Sequence, residues 1–207
     1  PEVPVVSEEG RVGDPKKSEL AWLVDPLDGT KEFIKRNGMF TVNIALMKRM
    51  GPQWKPIFGV VHAPVNRTTW FGGVDVRATK ITDAETSEIS VKKQTSTQPR
   101  LVASGSHRAE RDEKFAKELG DHELVRMGSS LKACIVAEGS ADLYPRFGPT
   151  SCWDIAAAHA VVEAAGGFVL SPQCKPLVYD LVDEVLNPYF LVTCSSKWND
   201  IWAQNQD

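Results

Sequence analysis

The sequence has few cysteines, no long apolar run and no surplus of either charge. Cys134, Cys152, Cys174 and Cys194 stand 18, 22 and 20 residues apart, so none belongs to the C-x-x-C pair that marks structural zinc. Free buried thiols are the expectation, and with them a reducing, cytoplasmic setting; peripheral contact with a membrane surface stays open. No apolar stretch approaches the roughly 20 residues of a membrane-spanning helix. The first residues also lack the basic and apolar regions of a signal peptide. A formal net charge of −3 over 207 residues gives no broad attraction for nucleic acid. An anionic ligand would therefore have to be drawn locally, by a metal or a few basic side chains. No internal repeat or low-complexity segment is present. With 42% hydrophobic and 25% charged residues the chain is ordinary globular material, long enough for one or two domains.

The richest stretch is Trp22-Leu23-Val24-Asp25-Pro26-Leu27-Asp28-Gly29-Thr30. Its apolar start reads as a buried strand, Pro26 forbids simple continuation of a central ladder, and Gly29-Thr30 opens a helical segment near Lys31. Two carboxylates thus project where a strand breaks into a turn. Hard oxygen donors suit Mg²⁺, and free N–H groups at a helix start favour an anion, so metal and phosphate would meet at one point. A plain Asp-Gly turn is the competing reading of this stretch alone.

Two other acidic positions bear on that choice. Glu8 and Glu9 follow the apolar Val3-Pro4-Val5-Val6 run, at a second strand end. Asp154 opens a strongly helical run that Gly166-Gly167 closes. Ser151 and Asp154 also match the S-x-x-D capping pattern, worth at most about 1 kcal/mol at a helix start, so Asp154 reads equally as a cap.

Together, Ser7-Glu8-Glu9, Asp25 to Thr30 and Trp153-Asp154-Ile155-Ala156-Ala157 resemble the signature of the Mg²⁺-dependent, lithium-sensitive phosphatases that include inositol monophosphatases, fructose bisphosphatases and bisphosphate nucleotidases. The continuation Lys31-Glu32-Phe33, running on through Leu46, is similar to the bisphosphate nucleotidases of the bacterial CysQ type, where inositol monophosphatases usually have T-N-F. Gly128-Ser129-Ser130-Leu131-Lys132, Ala137-Glu138-Gly139 and Leu143 to Thr150 extend the likeness over nearly the whole chain.

The resemblance implies Mg²⁺-dependent release of the 3′-phosphate of 3′-phosphoadenosine 5′-phosphate, with activity on its sulfated analogue and a link to sulfur assimilation. Two or three Mg²⁺ ions would serve, two of them activating water. Asp25 would bridge two ions, Glu8 and the Leu27 carbonyl would complete the first site, and Asp28 with Asp154 would hold the second. Thr30 would orient the attacking water, placing Glu8, Asp25 and Thr30 in the catalytic set. Gly29 and Thr30 N–H groups would bind phosphate. Ser104, His107, Gly128 and Lys132 would line the nucleoside and second-phosphate site, with Arg146 suited to a phosphate. Lys132 and Arg146 read equally well as solvated surface cations, as do Lys31, Lys35 and Arg36. Trp153 reads as packing, and His159, five residues past Asp154, as a satisfied core histidine. The alternatives are an inositol-phosphate or sugar-bisphosphate phosphatase and a non-catalytic metal- or nucleotide-binding fragment.

The fold expected is α/β, the layered αβαβα sugar-phosphatase arrangement: a mostly antiparallel first half over residues 1–98, carrying metal and phosphate, and a smaller α/β substrate-binding half over 99–207. Strands are expected at 41–46, 57–63, 68–71, 101–103, 167–170 and 190–193, and helices at 109–119, 130–138 and from Asp154 to Ala165. The polar stretch 82–98 reads as a mobile loop and the domain junction. The resemblance places two family helices, and the acid that pairs with the Asp-Gly-Thr threonine, ahead of Pro1. Without them the chain would be a fragment, with exposed apolar surface and a tendency to self-associate.

Overall fold

The structure, a computed structural model, describes residues 2–94, 97–104 and 110–206. Eight strands, β1 (Val5–Ser7), β2 (Gly10–Val12), β3 (Leu20–Asp28), β4 (Thr41–Met50), β5 (Gln53–Ala63), β6 (Thr68–Gly73), β7 (Val76–Ile81) and β8 (Thr86–Glu88), build one sheet in the order β2-β1-β3-β4-β5-β6-β7-β8. Every pairing is antiparallel except that of β1 with β3. Helix α1 (Thr30–Lys35) follows β3. Beyond them lie β9 (Arg100–Ser104), α2 (Glu110–Leu119), β10 (Glu123–Met127), α3 (Leu131–Ala137), β11 (Leu143–Arg146), α4 (Cys152–Ala164), β12 (Phe168–Leu170), β13 (Phe190–Thr193) and α5 (Asn199–Gln204). Their strands form a second sheet in the order β10-β9-β11-β13-β12.

The alternation of side chains along the first sheet decides where the helices go. On β4, Thr41, Asn43, Ala45 and Met47 are buried, while Val42 and Leu46 are half-buried and Ile44 is exposed. The buried face carries α4, which packs across β3 to β7; α3 lies beside it and touches both sheets. Helix α4 is buried on nearly all sides, with Ile155, Ala156, Ala157, Ala158 and Val161 each at most 2% exposed, because alanine lets backbones close up. At its nearest approach the partner is Gly59: a Cβ there would sit 2.1 Å from the Ala157 carbonyl oxygen. Helix α4 ends where expected, with Gly166 at φ 87° in the left-handed region. His159 is buried in the core, with Nδ1 2.7 Å from the Tyr179 hydroxyl and Nε2 3.2 Å from Glu163 Oε1. Helices α2 and α5 join through Phe115, Trp202 and Phe147.

Stretch 82–98 departs in part from the loop expected there. Thr86–Glu88 pairs with β7 as the sheet's edge strand, and Val91 is buried, its N–H bonded to the Ala165 carbonyl. Its polar composition suits an edge facing water on one side. Strands β10 and β11 were not expected; Pro145 sits within β11. No helix among the described residues is long and apolar enough to cross a membrane.

The Gly59 contact generates a stability prediction. Gly59→Ala must force the β5 and α4 backbones apart, so unfolding by urea should show a loss of about 3 kcal/mol, the upper range for an overpacked core. A loss below about 0.5 kcal/mol would mean that α4 is not seated against β5.

Candidate active site

Along a regular strand, residues three apart face opposite ways, so Asp25 and Asp28 could not serve one site. The structure resolves this with a bulge. Asp25 pairs with Asn43 and Asp28 with Thr41, so three steps on β3 match two on β4. The extra residue returns Asp28 to the face of Asp25. Pro26 fits here because β1 pairs with β3 only as far as Val24, leaving no ladder partner for a missing N–H on that side.

Asp154, in the first turn of α4, completes a trio with Asp25 and Asp28: each offers a carboxylate oxygen, all within 4.8 Å of one another. In each, one oxygen is held by protein donors. Asp25 Oδ1 accepts from Leu27 N at 3.0 Å, and Asp154 Oδ2 from Ser151 N at 2.8 Å. Asp28 Oδ2 accepts from Ser130 N at 2.6 Å, Asn43 Nδ2 at 3.3 Å and Thr41 Oγ1 at 3.4 Å. The second oxygen of each has no hydrogen-bond donor among the described residues. Asp154 is therefore a helix cap and a member of the trio at once.

Burial, then the Asp28 charge, pushes the Asp25 carboxyl up to about 8; burial and Asp28 likewise push Asp154 up to about 7. Both shifts come first from burial and then from crowded negative charge, which Arg146 offsets in part at Asp154. Glu8 is exposed, at the end of β1, outside the trio but near enough for its charge to raise both carboxyls. Leu27 lies within the bulge. Three hard carboxylates with unclaimed oxygens fit a divalent cation such as Mg²⁺.

Asp28 and Asp154 line a cleft of about 580 Å³ that also reaches Gly29, Ser104, Gly128, Lys132 and Arg146. His107 lies outside the described residues. Gly29, at φ 95°, turns the chain from β3 into α1, with Thr30 as the first helical residue. Lys132 is no surface cation: it is 7% exposed, Nζ donates to the Ser129 carbonyl at 2.6 Å, and the Tyr144 ring lies 5.3 Å away. Burial lowers its ammonium to about 8. Arg146 donates to the Pro149 carbonyl at 3.2 Å, but its Nε is buried with no hydrogen-bond partner among the described residues. The cleft thus gathers carboxylates with an underused guanidinium and ammonium, near enough that the Asp28 charge acts on Lys132 and the Arg146 charge on Asp154. Lys31 lines the cleft and Lys35 a smaller adjoining cavity; Arg36, in the left-handed region, ends α1.

Thr41, Asn43 and Ser130 escaped the sequence reading. Thr41 Oγ1 lies 2.8 Å from Ser129 Oγ and 2.7 Å from Ser130 Oγ, and Ser130 Oγ donates to Asn43 Oδ1 at 2.8 Å. The signal was available: on the inward face of β4 the apolar Ala45 and Met47 are preceded by two polar residues, which a core accepts only with partners.

Comparison with known proteins decides the family. The model of the inositol monophosphatase family matches residues 1–200. The chain belongs to that family. Bisphosphate nucleotidases named 3′(2′),5′-bisphosphate nucleotidase CysQ are similar to it. That of Salmonella typhimurium is 47% identical over 203 residues, and that of Escherichia coli K12 48% over 199, each match covering 93% of this chain and 76% of the relative. Among solved structures, CysQ of Bacteroides thetaiotaomicron superposes with a TM-score of 0.81 at 38% identity, covering 93% of this chain and 78% of that one. An inositol monophosphatase from Anabaena follows with 0.78 at 25% identity, covering 98% and 77%.

The raised carboxyls predict a pH dependence. A carboxyl whose pKa is higher in the folded than in the unfolded chain makes the folded state bind the extra proton, so that stability is lost as pH rises between about 4 and about 8. Without metal, the melting temperature should fall from pH 5 to pH 8. Added Mg²⁺ should recover more of it at pH 8 than at pH 5 and release protons on binding, seen by titration calorimetry in buffers of different ionisation enthalpy. A melting temperature flat across this range would refute the reading.

Proposed function

We propose that the chain hydrolyses the 3′-phosphate of 3′-phosphoadenosine 5′-phosphate to AMP and phosphate, and also accepts the sulfated analogue. The single observation that carries this is the cleft itself, where Asp28 and Asp154 of the carboxylate trio share the lining with buried Lys132 and half-buried Arg146. A substrate with two phosphates on one sugar suits a site that offers both a metal position and basic side chains, and the relatives named above carry the corresponding activity in their names. An inositol monophosphate has only one phosphate to offer.

The roles follow the residues. Asp25, Asp28, Asp154 and Glu8, with the Leu27 carbonyl, hold Mg²⁺; the ions would neutralise charge on the attacking and departing oxygens of the phosphoryl transfer. Gly29 and Thr30 present N–H groups to the scissile phosphate, and the Thr30 hydroxyl orients water. Lys132 and Arg146 receive the second phosphate, while Gly128, Ser104 and His107 bound the nucleoside. Gly148 lets the Arg146 guanidinium lie close, since a Cβ there would stand 3.3 Å from Cζ. Cytoplasmic location fits the four free thiols. Residues 1–98 carry most of the metal-binding part, and 99–207, which adds Asp154, the substrate-binding part. The outward face of the first sheet, with Val42 and Leu46 half-buried and Ile44 exposed, is the surface available for self-association.

In the presence of Mg²⁺, kcat/KM for 3′-phosphoadenosine 5′-phosphate should exceed that for inositol 1-phosphate at least about tenfold, roughly 1.4 kcal/mol of transition-state stabilisation. Equal values would favour a general phosphomonoesterase. Asp28→Asn should remove most turnover, because the amide lacks the charge the site needs and exchanges an acceptor for a donor against Ser130 N. Undiminished activity of that variant would make the acidic trio structural only.

A further inference from the structure

Gly29 and Gly128 come from loops far apart in sequence, and both leave room for the same side chain. A Cβ on Gly128 would lie 2.8 Å from Glu32 Cγ, and one on Gly29 would lie 3.4 Å from Glu32 Oε2. The stem of Glu32 therefore rests against the Gly128 loop while its carboxylate stands beside the Gly29 turn. There it lines both the main cleft and the adjoining cavity of about 170 Å³. Among the described residues the carboxylate accepts no hydrogen bond and joins no ion pair, although Glu32 is only part-exposed. It stands outside the Asp25, Asp28 and Asp154 trio.

A carboxylate fixed in a cleft that receives an anion needs a reason not to face that anion. Like charges repel, so beside the Lys132 ammonium, on which its charge acts, the group of the ligand that suits Glu32 is a hydrogen-bond donor. On the reading given under Proposed function, the substrate has two kinds of donor: the sugar hydroxyl next to the 3′-phosphate, and the exocyclic amine of the base. The scissile phosphate sits at Gly29, which Glu32 adjoins. The hydroxyl is attached one carbon from that phosphate, whereas the amine lies at the far end of the nucleoside. We propose that Glu32 is a specificity-determining residue that accepts a hydrogen bond from the 2′-hydroxyl, and so selects ribose over deoxyribose. The inference rests on the nucleotidase reading and deepens it. The distinguishing carboxylate also gives the Lys31-Glu32-Phe33 run a chemical meaning that T-N-F, with its amide, would answer differently.

The test compares adenosine 3′,5′-bisphosphate with its 2′-deoxy analogue on the full chain with Mg²⁺. The wild type should prefer the ribonucleotide at least about tenfold in kcat/KM, the discrimination of a site built around a hydroxyl. Glu32→Ala should bring the ratio within about twofold by losing rate on the ribonucleotide alone; Glu32→Gln, which keeps an acceptor oxygen, should retain part of it. Binding of the two nucleotides in EDTA, by calorimetry, should show the same convergence without turnover. A wild-type ratio near one, or a Glu32→Ala variant that slows both substrates equally, would overturn the proposal, the latter marking Glu32 as a spacer between loops. If inositol 1-phosphate outruns both nucleotides, the nucleotidase reading itself fails and takes this inference with it. Nucleotide turnover with discrimination intact in Glu32→Ala sinks the Glu32 role alone.

Discussion

Crowded negative charge is the constraint around which this molecule is arranged. Asp25 is 1% exposed and shares a space of a few ångströms with Asp28 and Asp154. Isolated carboxylates in such a place would protonate or turn to water. Here each is restrained by backbone N–H groups of its own turn or of a facing loop, so that repulsion cannot be relieved by rotation. Strand β3, helix α4 and the Gly128-Ser129-Ser130 loop each supply a restraint, and each is immobilised by the core behind it.

The restraints are coupled. Asp28 is held by Ser130 N, and Ser130 and Ser129 are bonded to Thr41 and Asn43 on β4. Ser129, in the left-handed region at φ 47°, offers its carbonyl to Lys132. One hydrogen-bonded chain therefore runs from a carboxylate of the trio to the Lys132 ammonium. A connected network of this kind fixes geometry more firmly than any one of its bonds would, because a member that moves orphans another.

Much of this was legible from residues, and what was hidden had physical causes. Pro26, which interrupts a regular ladder, the Gly29-Thr30 turn and the alanine-rich helix closed by Gly166-Gly167 carry local signals strong enough to place Asp25, Asp28 and Asp154. That the three converge was carried only by resemblance, because convergence depends on a bulge, and a bulge is a property of two strands together. Lys132 looked like surface because a lysine usually is; its burial comes from Tyr144 and the loop carbonyl, neither of which periodicity reveals. Strand β11 was missed because Pro145 argues against a strand, yet Leu143, Tyr144 and Pro145 are buried. The polarity of 82–98 signals water on one side, which an edge strand and a loop share.

The bulge at Pro26 and Leu27 also says which kinds of change the site can absorb over time. Strand β3 could drift in composition wherever its side chains face a forgiving neighbour, but its length is quantised. Removing one residue there would leave the sheet paired and the core filled while turning Asp28 toward the opposite face. Insertions and deletions are ordinarily tolerated at the end of a strand; at this one a change of length costs the site as much as losing Asp28 would, and a folded, silent protein lies a single codon away.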